Sequence, residues 1–284
     1  MAETKGTLSI NSDNIFPIIK KWLYSDHDIF FRELISNGCD AITKLKKLDM
    51  MGEYNFPEGH KNKVEVILDP EKKTLKFIDT GLGMTADEVE KYITQIAFSG
   101  ATQFLEQYKD KTEGDQIIGH FGLGFYSAFM VASKVRVESK CYGAEKAYAW
   151  ESEGAEGYTI DECDKSNFGT KIILTLKADT DDEKYSDFLA EYKIEELIRK
   201  YSDYIRYPIK MEVEHEHEVE QPEGEKKEPK FEKVRHDEIL NSMIPIWKKN
   251  KSEVSDEDYN NFYQEKFGDY QKPLKVIRTS VEGD

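Results

Sequence analysis

The segment that decides the fold runs from Asp28 to Leu48, DIFFRELISNGCDAITKLKKL. Phe31, Ile35, Ile42 and Leu45 recur at helical spacing, so the segment reads as an amphipathic helix that buries one apolar stripe. Glu33, Asn37, Asp40, Ala41 and Lys44 fall at i, i+4, i+7, i+8 and i+11, which gathers them on one face of that helix. A glutamate and an asparagine one turn apart are ordinarily a solvated face. Their meaning depends on what the rest of the chain brings beside them.

Upstream, NIFPIIKKWL (14–23) repeats the three-and-four spacing and reads as another amphipathic helix. Downstream, KVEVILDPEKKTLKFIDTG alternates on either side of Asp69-Pro70-Glu71-Lys72 and predicts a hairpin from Val64 to Asp79, closed by Gly81 and Gly83. Thr85 to Glu88 matches a capping box that opens a short helix through Ile93. Ala97 to Gly119 mixes small, polar and charged residues between glycine turns and is expected to form a lid. FGLGFYSAFMVA then reads as a turn feeding a helix, with strands following at 134–140, 145–151, 157–161 and 170–176 that extend the hairpin's sheet. A helix from Ile194 to Ser202 and a last strand at YPIKMEVEH complete the pattern. The expected fold class is α+β: a two-layer sandwich of a mostly antiparallel sheet covered on one face by helices.

The chain's 56 acidic residues against 40 basic ones give a formal charge of −16. Such a field repels nucleic acid and anionic membranes, so neither is expected as a partner, and a phosphate-bearing ligand must be held by local backbone N–H groups, a cation or a helix end. Three cysteines, Cys39, Cys141 and Cys163, without a CxxC pair, point away from a disulfide framework or a thiolate zinc site and towards reducing cytoplasm. No stretch approaches the roughly 18 apolar residues of a membrane span, and the first residues lack the pattern of an export signal. Residues 214–233, EHEHEVEQPEGEKKEPKFEK, are nearly all charged, Pro or Gly, so they read as a solvated linker, His215 and His217 included. The expected organisation is a main N-terminal domain over 1–213, the linker over 214–233, and the start of a truncated second domain over 234–284.

Familiar phosphate loops are missing: there is no GxxxxGK[ST], and GLGFYS puts Ser127 where a dinucleotide fingerprint needs glycine. Other residues supply the chemistry instead. Asn37 can offer an oxygen to Mg²⁺ while Glu33 orients and deprotonates a water. Asp79, at the end of an apolar strand and followed by glycines, can accept a hydrogen bond from an exocyclic amine such as adenine's. Gly119 to Phe125, GHFGLGF, precedes a helix, so its N–H groups can meet phosphates. Thr170 after Gly169 can place a hydroxyl beside the base. Taken singly, each has a plainer account as a polar face, a hairpin exit or a packing turn.

Taken together and in order, RELISNGCDA, DTGLGM, GHFGLGFYSAF and GT resemble the four boxes of the gyrase, heat shock protein 90, histidine kinase and MutL ATPase superfamily. WLYSDHDIFFRELISN, GHFGLGFYSAFMVA and the later PIW and SVEG segments resemble bacterial-type heat shock protein 90 over nearly the whole chain. That resemblance implies a Bergerat-type fold and an ATP-dependent chaperone that binds ATP or ADP with Mg²⁺. It assigns Glu33 as general base steadied by Arg32, Asn37 to the metal, and Asp79 and Thr170 to adenine. Asp40, Ala41, Gly83, Met84, Ser99, Gly100, Gly122, Leu123, Gly124 and Phe125 line the nucleotide. Two positions depart from the family pattern: Phe98 stands where a lysine is common, and an asparagine contact is replaced near Tyr92. The resemblance also implies client proteins and co-chaperones as partners, homodimerisation through a C-terminal domain, and poor turnover without a middle-domain arginine. A histidine kinase would need a phosphoacceptor histidine on a dimer helix, and none of the six histidines is so placed; a scaffold binding nucleotide only for stability is the remaining alternative.

Overall fold

The computed structural model describes residues 27–94, 124–154, 157–218 and 231–279. The predicted helix at 14–23 and the predicted lid at 97–119 lie outside them.

Helix α1 spans Ile29–Met50, and its apolar stripe is fully enclosed, with Phe31, Ile35, Ile42 and Leu45 all at 0% exposure. Asp28, before its first turn, makes no capping bond; its carboxylate instead meets Lys193 Nζ at 3.4 Å and Lys200 Nζ at 3.6 Å. The hairpin follows as β1 (Val64–Asp69) and β2 (Thr74–Asp79), in register from Val64 opposite Asp79 to Asp69 opposite Thr74. Lys72 N–H donates to the Asp69 carboxylate, and Lys73 takes a left-handed φ of 52° to close the turn. Helix α2 (Ala86–Thr94) starts with the predicted capping box, Thr85 N–H to Glu88 Oε2 at 2.9 Å and Glu88 N–H to Thr85 Oγ1 at 3.3 Å.

After a single 3₁₀ turn at Gly124–Ser127 comes α3 (Ala128–Val131), then β3 (Ala132–Lys140), β4 (Ala147–Ser152), β5 (Tyr158–Cys163), β6 (Gly169–Leu176), α4 (Glu191–Tyr201), β7 (Ile209–Glu218), β8 (Phe231–Ile239) and α5 (Asp256–Phe267). The eight strands form one sheet in the order β5-β4-β3-β6-β2-β1-β7-β8, antiparallel throughout except where β7 runs parallel to β1. The expected α+β sandwich is borne out. Alternate strand residues, among them Val66, Phe77, Val135, Val137, Leu174, Ile209 and Met211, are buried, as the two-residue period requires. Phe77 sits edge-on to Phe30 and Phe31, and Phe30 edge-on to Phe188, at centroid separations of 6.4, 5.2 and 5.1 Å; such pairs add about 0.5–1.5 kcal/mol each beyond burial. The intervening residues carry charge instead: Lys134–Glu151 at 2.6 Å, Arg136–Glu138 at 2.9 Å and Lys171–Glu138 at 3.0 Å form a ladder across β4, β3 and β6.

One sequence expectation needs correction. Residues 214–218 and 231–233 are strand, not linker, and 234–239 continue β8 in the same sheet instead of opening a second unit. Charged residues are tolerated here because cross-strand partners take them up: Lys233 Nζ meets Glu214 at 2.6 Å, and Arg235 reaches Glu191 of α4 at 2.7 Å. Composition records the lack of apolar surface, whereas ladder hydrogen bonds and alternating charge do not register in it.

Candidate nucleotide site

The turn after β2 is pressed against the middle of α1. A Cβ on Gly81 would stand 2.5 Å from the Ala41 carbonyl carbon and 2.7 Å from Ile42 N, and Leu82 N–H donates to Ala41 O at 3.2 Å. On the same stretch of helix, a Cβ on Gly38 would stand 3.2 Å from Asp79 Cβ. Gly38 follows Asn37 directly, so the helical turn bearing Asn37 lies on the Asp79 side of the molecule. Asn37 and Ala41 are half-buried and Asp40 is buried.

Asp79 is 7% exposed. Its Oδ1 accepts from Gly81 N–H at 2.9 Å and from Thr170 N–H at 3.3 Å, and among the described residues no hydrogen bond reaches Oδ2. Burial pushes its carboxyl up to about 7, against the pull of those two N–H groups and of Lys165. Thr170 is brought there by β6, which pairs with β2 so that Ile78 faces Lys171. Gly169 has a φ of +99°, and a Cβ on it would overlap the Asp79 carbonyl oxygen, so this position admits glycine alone without strain. Gly83, with φ +71°, is crowded in the same way by Lys140.

At the N-terminal end of α1, Arg32 Nη2 donates to Glu33 Oε1 at 2.8 Å and Arg32 Nε at 3.3 Å. The Glu33 side chain is 18% exposed, and its Oε2 faces Gly124, on which a Cβ would overlap it. The third box is therefore seated against the Glu33 carboxylate, with Phe125 buried behind it and edge-on to Trp150 at 5.7 Å. Deeper along α1, burial lowers the Lys44 ammonium, with Asp40 and Glu88 opposing.

The described residues thus bring Glu33, Arg32, Asn37, Asp40, Ala41, Asp79, Gly83, Met84, Gly124, Phe125 and Thr170 to α1 and the sheet end facing it. Ser99, Gly100, Gly122 and Leu123 lie outside the described residues, as does Phe98; Tyr92 is on α2, half-buried. Sequence reasoning missed Ser139, a fully buried hydroxyl between Thr170 Oγ1 at 3.0 Å and Met84 N at 2.9 Å. Its only signal was a hydroxyl on an inward position of β3.

A helix carrying a carboxylate and a carboxamide thus faces a buried aspartate at a strand end. The chain belongs to the histidine kinase-, DNA gyrase B- and HSP90-like ATPases, whose family model matches residues 30–171. Within that family it stands with the Hsp90 proteins, whose model matches residues 187–236 and 223–284. Chaperone protein HtpG of Bacillus velezensis is 46% identical over 279 residues, covering 98% of this chain and 44% of the relative. The HtpG proteins of Clostridium botulinum and Bacillus subtilis are 45% and 44% identical over 281 and 279 residues, covering 99% and 98% of this chain and 44% of each relative. The chain spans less than half the length of these relatives.

Proposed function

We propose that this chain is the nucleotide-binding part of an ATP-driven chaperone. In the longer protein, ATP binding and hydrolysis drive the folding of client proteins in the cytoplasm, with homodimerisation through a further domain and co-chaperones as regulators. The observation that carries the reading is the convergence on α1 of two separate groups: Gly124 against the Glu33 carboxylate, and the Asp79–Thr170 pair beside Gly38.

Asp79 accepts from the exocyclic amine of adenine, its Oδ1 already fixed by two backbone N–H groups. Gly83 and Met84 border the base, and Asp40 and Ala41 the sugar side of α1. Gly124 and Phe125 meet the phosphates, a role the resemblance extends to Gly122, Leu123, Ser99 and Gly100; backbone N–H groups are what a chain of charge −16 needs there. Glu33 takes the proton of the attacking water, and Arg32 holds one of its oxygens so that the other stays aimed. Asn37 suits Mg²⁺, a cation that binds through few protein oxygens when phosphates and waters complete its shell. The ion would neutralise charge developing on the phosphates.

We assign the nucleotide domain to the sheet and helices through Met243, since buried Asn241 bonds Ile205, Tyr207 and Ile209 and Met243 N–H donates to Asp203 O, and residues from Ile244 to the start of a following unit. Trp247, Phe267, Tyr270 and Leu274 are exposed there.

Titration calorimetry with ADP and Mg²⁺ tests the reading: micromolar-range binding is expected, and absence of heat at millimolar ADP refutes it. In the longer protein, Glu33→Ala should keep binding and lose about 10² to 10⁴ in hydrolysis, the range of a general base.

A further inference from the structure

We infer that Ser139 is a specificity-determining positioning residue, which sets the Thr170 hydroxyl as a hydrogen-bond donor and so selects 6-amino over 6-oxo purines. The inference rests on the nucleotide reading above. Ser139 on β3 stands directly opposite Thr170 on β6.

Ser139 is 0% exposed, so its hydroxyl proton has only protein acceptors. Met84 N–H already donates to Ser139 Oγ at 2.9 Å, which occupies one lone pair. Among the described residues, two acceptors stand within reach of the Ser139 proton: Thr170 Oγ1 at 3.0 Å and Gly169 O at 3.5 Å. The second is at the outer limit of a hydrogen bond. Were Thr170 to donate to Ser139, the buried Ser139 proton would be left with that long contact alone. The favoured arrangement therefore has Ser139 donating to Thr170, which frees the Thr170 proton for a ligand.

Asp79 and Thr170 then form an ordered pair, one carboxylate acceptor beside one hydroxyl donor, already joined by Thr170 N–H to Asp79 Oδ1. A 6-amino purine offers the matching order: an amine that donates and a ring nitrogen that accepts. A 6-oxo purine offers the reverse, a carbonyl oxygen and a ring N–H. Sites built around buried polar groups reject the mismatched analogue because those groups are left unpaired. The same Ser139 oxygen fixes Met84, so the turn after β2 is held by the residue that sets the polarity.

The test is calorimetry of this chain with ADP and with inosine diphosphate, which differs from ADP only at the 6-position and its neighbouring ring nitrogen. Ser139→Ala should weaken ADP about tenfold, the value of one neutral hydrogen bond, and inosine diphosphate by less than about twofold. Ser139→Cys, close in volume but a weak donor, should behave like the alanine variant, and Ser139→Thr should restore the wild-type ratio. In a Thr170→Ala background, Ser139→Ala should have no further effect on the ratio. Equal losses for both nucleotides, or an undiminished effect in the Thr170→Ala background, would overturn the role of Ser139 and leave the nucleotide reading standing. Failure of the wild-type chain to bind ADP would overturn both.

Discussion

Replacing Asp79 with asparagine should make the ligand-free chain more stable at neutral pH and weaken its hold on nucleotide. The carboxyl rises from its ordinary 3.8 to about 7 because burial disfavours the charged form. At about 1.4 kcal/mol for each pKa unit, the ionised carboxylate is about 4 kcal/mol costlier in the folded chain than in the unfolded one. The sign follows from linkage: the folded chain holds its proton between about pH 4 and 7 while the unfolded chain releases it, so stability falls as pH rises through that window and is level above it. The asparagine side chain would keep an oxygen for Gly81 N–H and Thr170 N–H and carry no charge, so the variant's stability lacks this descent. Urea unfolding of both proteins from pH 4.5 to 8.5 should show Asp79→Asn gaining on wild type by roughly 2–4 kcal/mol across the range. Meanwhile its affinity for ADP should fall by about 1.5–3 kcal/mol through loss of a charge-assisted bond. Parallel stability curves, or unchanged ADP affinity, would refute the reasoning that this carboxylate is kept at a cost for recognition.

Because binding an amine favours the ionised form, ADP affinity should rise with pH towards 7, by up to about tenfold per pH unit, and level off above it; calorimetry at several pH values, with Asp79→Asn as the flat control, checks this. Gly124→Ala places a Cβ on Glu33 Oε2, 3.1 Å from its carboxyl carbon, so the carboxylate must swing from its position beside Arg32. Single-turnover hydrolysis by the longer protein should then fall by about 10² or more, much further than ADP binding. Gly169→Ala combines a left-handed φ of +99° with overlap of a backbone oxygen that has no freedom to move. It should cost about 2–5 kcal/mol in urea unfolding, strain and overpacking together.

Much of the candidate site's geometry was legible because its parts lie where local rules are strong. The stripe of Phe31, Ile35, Ile42 and Leu45 announces α1 and so fixes which side chains share its other face. Alternation from Val64 to Asp79 announces the hairpin and puts Asp79 at its end. What stayed hidden depends on contacts between distant segments. Ser139 lies in an alternating strand like any other inward residue, and only the β3–β6 register gives it Thr170 as a neighbour. The parallel pairing of β7 with β1 joins Val64 to Ile209, far apart in the chain, with no local signature. Residues 214–218 and 231–233, whose composition points to linker, belong to β7 and β8 because paired charges and ladder bonds stabilise them, which a hydropathy pattern does not record.

The insertion of β6 between β3 and β2 also governs when Asp79 and Thr170 come together during synthesis. Asp79 and Thr170 N–H are 91 positions apart, so a ribosome-bound chain that has exposed α1 and the first hairpin still lacks the strand that meets the Asp79 carboxylate. Until the residues of β6 emerge, the apolar edge of β2 has no neighbour and is open to mispairing. Loop closure over such a distance is slow compared with forming either hairpin, which makes arrival of β6 the step at which a nascent molecule first joins Asp79 to Thr170.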